Sequence, residues 1–386
     1  MIKNMTQKIF SFIKKNYLFI IVGLVVIAGG LYLFSIAQNN ILKNKIGQMV
    51  IVGFRGTEAQ KDSYIINIIK DLKVGGVILF DYDVPSESRP RNITSPEQTK
   101  KLILDLKKYS KTPLFISVDA EGGYINRLKT RYGFLPIMSA KEMGNSMGTS
   151  TTASEAEKLS LELKNLGFNM NFAPVVDVDI NPTNPVIGGL ERSFSADPQN
   201  VFEQAKTFIE KQKANGIISV AKHFPGHGSS ENDSHLGLVD VTKTYKIEEL
   251  TPYRELQKEG ILEVVMTAHI INTHIDRDYP ATLSPYFLQN ILRKEIGFKG
   301  VIVSDDMQMN AIASNYGFEE AVTRAINAGC DILIISNNST SLYDEQLPYK
   351  TIDVIYKAVK DRKISRKTIS ESYDRIMKLK RQYDIL

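Results

Sequence analysis

From Ile46 onward the chain alternates short runs of apolar, often β-branched residues with longer stretches in which apolar residues recur every three or four positions. The first pattern suits strands buried on both faces of a parallel sheet, and the second suits amphipathic helices packed against it. Eight runs read as strands: Met49–Phe54, Gly76–Phe80, Leu114–Val118, Asn171–Val176, Ile217–Ala221, Val264–His269, Val301–Ser304 and Asp331–Ser336. Helical spacing predicts helices over Ser95–Tyr109, Ser154–Leu166, Pro198–Ala214, Pro285–Glu295 and Phe318–Asn327. The stretch Tyr349–Leu386 also reads as helix, with Ile369, Tyr373, Ile376 and Leu379 near one face. Strands alternating with helices predict an α/β fold, a (β/α)8 TIM barrel in one domain, with a doubly wound open sheet as the alternative. No internal repeat or linker opens a second domain.

Ahead of this pattern, Tyr17–Ala37 is an apolar run without a charge, long enough to span a bilayer. Lys3, Lys8, Lys14 and Lys15 precede it with no acid on that side, which orients the lysines to the cytoplasm. The expected organisation is a cytoplasmic N-terminus (1–16), a transmembrane signal anchor (17–37) and an extracytoplasmic barrel (41–386), giving a single-pass protein of the cell membrane. Ser35-Ile36-Ala37 is a small-residue site, so a cleaved signal peptide and a secreted barrel are the alternative.

Composition changes this picture little. At 43% hydrophobic and 24% charged residues the chain is an ordinary globular one. Its net charge of +5 comes largely from the N-terminal segment and the C-terminal helix, so no nucleic acid partner is expected. Cys330 is the single cysteine, which excludes an internal disulfide, and its place just before an apolar strand reads as a buried structural thiol.

Candidate chemistry gathers where the strands end. The densest cluster is Lys222-His-Phe-Pro-Gly-His-Gly-Ser-Ser-Glu-Asn-Asp-Ser-His235, which holds three of the five histidines directly after an apolar run. Such crowding exceeds what a solvated loop requires. His223 and His227 have the spacing of a helical metal pair, but Pro225 and Gly226 break a helix between them and no third ligand follows at a familiar interval. Neither a metal nor a cofactor is expected. Other strand ends carry Asp119-Ala-Glu-Gly-Gly-Tyr-Ile-Asn-Arg127, Asp177, Arg192-Ser-Phe, Thr267-Ala-His269 and Ser304-Asp-Asp-Met307. In a barrel, this edge is where catalytic groups collect.

The Lys222–Gly228 segment followed by Asp233-Ser-His235 resembles the glycoside hydrolase family 3 β-N-acetylglucosaminidases of the NagZ type, and the resemblance extends from about Ile41 to Leu386. It implies an exo-acting retaining enzyme that removes terminal non-reducing N-acetylglucosamine from glycans or muropeptides, most plainly peptidoglycan fragments. By resemblance Asp305, in Val301-Ile-Val-Ser-Asp305, is the nucleophile, and His235 is the acid/base, oriented by Asp233. The sugar contacts implied are Asp119, Arg127, Arg192, Lys222 and His223. The chemistry is consistent with those roles. An ionised Asp can form and release a glycosyl ester beneath an oxocarbenium-like centre. A histidine held by a carboxylate can give a proton in one step and take one from water in the next.

The chain departs from the family pattern at Tyr124, where an Arg commonly follows the two glycines, and at Glu191, where Asp or Asn is more usual. These positions bear on the second sugar or a peptide stem rather than on the reaction. Four other readings stay open: a phosphorylase of the same family, a metal-dependent hydrolase, a serine hydrolase using Ser234, which lacks a nucleophile elbow, and a non-catalytic wall-binding barrel.

Overall fold

A computed structural model describes residues 2–234 and 236–386, and the chain divides into two compact units, Met1–Asn44 and Lys45–Leu386. The first unit is helical, belonging to α1 (Ile2–Gln48). Among the described residues no helix is long and apolar enough to cross a membrane. The transmembrane anchor expected over 17–37 is therefore corrected. The single-pass membrane placement that rested on this span falls with it.

The second unit is built on one parallel sheet of nine strands: β1 (Val50–Gly53), β2 (Gly76–Leu79), β3 (Phe115–Val118), β4 (Met170–Asn171), β5 (Ile218–Ser219), β6 (Ala221–Phe224), β7 (Val264–Thr267), β8 (Val301–Asp306) and β9 (Ile332–Ile335). Their order is β5-β4-β3-β2-β1-β9-β8-β7-β6. The expected eight-stranded closed barrel is thus corrected to a nearly closed, barrel-like sheet of nine. The reason lies at Val220. Its N–H donates to the carbonyls of both Asn171 (3.1 Å) and Ala173 (2.9 Å), which parts one apolar stretch into β5 and β6. β5 pairs with β4 and β6 with β7, so residues 218–224 supply both margins of the sheet. β4 is shorter than its apolar run because Pro174 has no N–H for a ladder; beyond it only Val175 bridges to Lys222.

The strands carry Val, Ile and Leu on both faces and are almost wholly buried, as a sheet covered by helices requires. Around it run α2 (Tyr64–Leu72), α3 (Pro96–Tyr109), α4 (Ser150–Leu166), α5 (Pro198–Ala214), α6 (Thr251–Lys258), a π-helical run (Tyr286–Glu295), α7 (Phe318–Ala328), α8 (Leu347–Lys360) and α9 (Arg366–Gln382). Local chemistry sets their ends. Ser95 accepts from the Gln98 N–H and Asp197 from the Gln199 N–H, each followed by a proline at the first helical position. α4 stops at Gly167, whose φ of 96° suits a residue without a side chain. Its buried face includes Leu159, Leu163 and Leu166, and truncating Leu163 to Ala would cost about 2–5 kcal/mol.

The two ends of the sheet differ in kind. At the N-terminal end Lys380 is fully buried and donates to Gln48 Oε1 (2.8 Å), Gly75 O (3.0 Å) and Pro113 O (2.6 Å), which satisfies all three of its protons. The C-terminal end opens on a pocket. β8 runs two residues past its expected end, so Asp305 and Asp306 are its last members.

Candidate active site

At the C-terminal edge a cavity of ≈ 410 Å³ is lined by Asp119, Glu121, Arg127, Arg192, Lys222, His223, His227, Asp233 and Asp305, among others. Its size is that of a small-ligand site. Seven of the eight residues expected at the site, from four separate strand ends, therefore meet in one place. The eighth, His235, lies outside the described residues.

One side of the cavity is a network of full charges. Glu121 takes a bidentate pair of hydrogen bonds from Arg192, from Nε (2.8 Å) and Nη2 (2.8 Å), and an ion pair from Lys222 (2.6 Å). Lys222 also donates to Asp119 Oδ1 (2.9 Å), while Arg127 stands 3.9 Å from Asp119 Oδ2. Burial opposes the ionisation of both acids, but the cations outweigh it: Lys222 and Arg127 hold Asp119 below the usual carboxylate range, and Arg192 and Lys222 bring Glu121 to about 2. Burial likewise opposes charge on Lys222 and Arg192, yet their carboxylate partners keep both raised. These side chains are fixed ions that can offer charge-assisted hydrogen bonds to hydroxyl and amide groups.

The other side is organised by Asp177, which is fully buried. Its Oδ1 accepts the backbone N–H groups of His223 (3.1 Å) and His227 (2.8 Å), and its Oδ2 lies 2.7 Å from His223 Nδ1. Burial, then Arg192 and Lys222, push the His223 pKa well below its ordinary value, so the ring is neutral near pH 7. Its tautomer follows from its neighbours. Nδ1–H donates to Asp177, and Nε2 accepts from Arg192 Nη2 at 3.3 Å. His227 is also lowered by burial. Ser230 gives its hydroxyl proton to the His227 carbonyl (2.9 Å), so its oxygen accepts from His227 Nδ1 (2.7 Å). That leaves Nε2 to accept from the Ser234 hydroxyl (3.2 Å). With all these ring nitrogens engaged, neither histidine has the free nitrogen a metal would need, and no cluster of potential metal ligands occurs among the described residues.

Asp305 stands between the halves, and its charge acts on Asp119, His223 and His227. Its Oδ1 accepts the N–H of Asp306 (2.7 Å). Asp306 turns away to the loop after β9, taking the Ser336 hydroxyl, the Ser336 N–H (3.2 Å) and the Gln308 N–H (3.2 Å). Burial raises it to about 6. Asp233 lines the same cavity, and the neighbouring Ser234 carbonyl accepts from Ala311 (3.3 Å), just past β8.

Glu121 and Asp177 were not among the expected site residues. Glu121 had a signal: it stands two residues after Asp119 in an extended segment, where alternate side chains share a face. Asp177 had a weaker one, an acid directly after an apolar run. That it would bind three groups of a segment some 46 residues later depends on the sheet bringing β4 beside β5 and β6.

A carboxylate at a strand end, facing fixed ionic donors and acceptors in a pocket of this size, is the equipment of a glycosidase. Residues 41–379 match the Glycosyl hydrolase family 3 N terminal domain, and the chain belongs to that family. A Beta-hexosaminidase of Tolumonas auensis is 36% identical over 274 residues, covering 70% of this chain and 78% of its own. Another, from Neisseria gonorrhoeae, is 36% identical over 303 residues, with 76% and 78% covered. The structure of a glycoside hydrolase family 3 β-N-acetylglucosaminidase from a Paenibacillus species superposes with a TM-score of 0.80 at 33% identity, covering 89% of this chain. This chain spans 62% of that longer one.

Proposed function

We propose that the chain is an exo-acting, retaining β-N-acetylhexosaminidase that releases terminal non-reducing N-acetylglucosamine, with peptidoglycan fragments as its source. The β-hexosaminidase activity follows from the family and from relatives of that name at 34–36% identity over most of the chain. The finer reading is supported above all by the place of Asp305 at the end of β8 on the cavity wall, where its charge acts on Asp119, His223 and His227.

Asp305 is the nucleophile of this reading. Its carboxylate attacks the anomeric carbon as the bond to the leaving oxygen breaks, and His235, oriented by Asp233, gives that oxygen its proton. In the second step His235 takes a proton from water, the water oxygen bonds to the anomeric carbon, and the ester to Asp305 breaks. The ionised Asp119 and Glu121 support this division of labour, since neither can serve as an acid near neutral pH. Asp119, Arg127, Arg192, Lys222 and His223 hold the sugar hydroxyls and acetamido group. The neutral tautomer of His223 leaves the charge there to Arg192 and Lys222.

The test is turnover of a chromogenic N-acetylglucosaminide. Asp305→Asn should abolish it while the protein still binds N-acetylglucosamine; unchanged turnover would reject the nucleophile. Phosphate in the assay should leave free N-acetylglucosamine as the product, whereas N-acetylglucosamine 1-phosphate would favour a phosphorylase.

A further inference from the structure

Glu249 has no part in the pocket lining, yet it is fully buried directly behind the histidine loop. It belongs to the single turn Ile247–Leu250 that leads into α6. Its Oε2 accepts the Gly228 N–H at 2.9 Å. The fit around that bond is close. A Cβ on Gly226, whose φ is 128°, would come within 2.6 Å of Glu249 Cβ, and one on Gly228 within 1.7 Å of the Val178 carbonyl on the opposite side. The Pro-Gly-His-Gly turn is thus pressed between Glu249 and the chain beyond β4, and glycine at both places lets the backbones approach. Two further contacts come from residues on either side of the Ile247–Leu250 turn. Tyr245 Oη donates to the Pro225 carbonyl (3.1 Å), and Tyr253 meets Phe224 edge to face with centroids 5.2 Å apart.

We propose that Glu249 is a positioning residue for the acid–base half of the reaction: it clamps the turn at Gly226–Gly228 and so fixes the loop that continues through Asp233 to His235. The line of contact runs from Glu249 to Gly228, to the His227 ring, and to Ser234 beside Asp233. Of the sugar-holding groups, Asp119, Arg127 and Arg192 come from other strand ends, while Lys222 and His223 precede the turn on β6. The groups facing the Glu249 carboxyl are the Gly228 N–H and Ser229 hydroxyl from the loop, the Lys246 N–H, and the side chains of Asp177, Tyr245 and Tyr253. None of the cations among the described residues pairs with it. The proposal rests on the assignment of the acid/base to the 233–235 segment.

The experiment compares the native enzyme with E249A, E249Q and H235A on two N-acetylglucosaminides, one with a dinitrophenyl aglycone that leaves without a proton and one with an alkyl aglycone that requires it. Thermal melting of each variant checks folding. General acid catalysis contributes roughly 10²–10⁴-fold, so a displaced acid should cost E249A at least about tenfold on the alkyl substrate and under about twofold on the dinitrophenyl one. E249Q keeps an oxygen for the Gly228 N–H and should retain most of the alkyl activity. If E249A does not fold, E249D, one methylene shorter, carries the same comparison with a smaller ratio. Equal losses on both substrates, or none, would overturn the clamp. If H235A itself shows no selective loss on the alkyl substrate, the acid–base assignment fails and the proposal fails with it. If H235A is selective and E249A is not, the clamp alone fails.

Discussion

Two acids, one on the pocket wall and one behind the histidine loop, are buried to a similar degree and yet stand in opposite states. Glu121, against Arg192 and Lys222, is brought down to about 2; Glu249, with no cation beside it, is pushed up by burial to about 7. Both carboxyls are 6% exposed or less. Burial alone therefore does not decide the charge state; the number of cations within reach does. The charged half suits binding, because its ions are present at any working pH and are already held in place before a sugar arrives. The histidine side suits proton handling, because its imidazoles are held neutral and orient the loop through hydrogen bonds.

The largest test of this contrast is to remove the shared cation. Lys222→Met leaves Asp119 and Glu121 buried with one partner fewer, and by analogy with broken buried pairs it should cost about 3–5 kcal/mol in a urea melt and abolish turnover. A cost under 1 kcal/mol would mean that the network does not rely on Lys222.

The next test uses pH, where the halves should have opposite signs. Glu121 has a folded pKa below its ordinary 4.5, so it contributes stability above that pH that is lost as pH falls toward about 2. Glu249 has a folded pKa above 4.5, so its contribution is complete below pH 4.5 and is lost as pH rises through about 7. Gln has no proton to bind. Relative to the native protein, E249Q should therefore gain up to about 3 kcal/mol between pH 4 and pH 8, and E121Q should gain on going from pH 5 to pH 2 by a similar amount. Parallel pH profiles for the two variants would contradict the contrast. Asp177→Asn should have a smaller effect: it keeps an acceptor for the two backbone N–H groups but loses the charged partner of His223, which is worth about 1.5–3 kcal/mol. Smallest of all, Ser336→Ala removes one hydrogen bond to Asp306 and should lower stability by about 1 kcal/mol while shifting neither Glu121 nor Glu249.

Much of the site was legible because its residues stand directly after apolar runs, and a parallel sheet gathers such positions at one edge. Asp119, Arg192, Lys222, His223 and Asp305 could be named from that rule and from the family resemblance, and all line one cavity. Glu249 was not legible. It sits in a polar stretch, Lys246-Ile-Glu-Glu249, where nothing distinguishes it from the exposed Glu248 beside it except a tertiary contact with Gly228. The strand count failed for a local reason, the two carbonyls shared by the Val220 N–H, which periodicity does not encode.

The proposed reaction turns on Asp305 as the group that bonds to the sugar. It is tested most directly by incubating residues 39–386 with a 5-fluoro N-acetylglucosaminyl fluoride, which slows both steps, and mapping any adduct by mass spectrometry. One added glycosyl group should appear on the peptide that contains Asp305 and be lost on prolonged incubation as the ester hydrolyses. Hydrolysis of N-acetylglucosaminides with no adduct on that peptide, or an adduct on another residue, would contradict it.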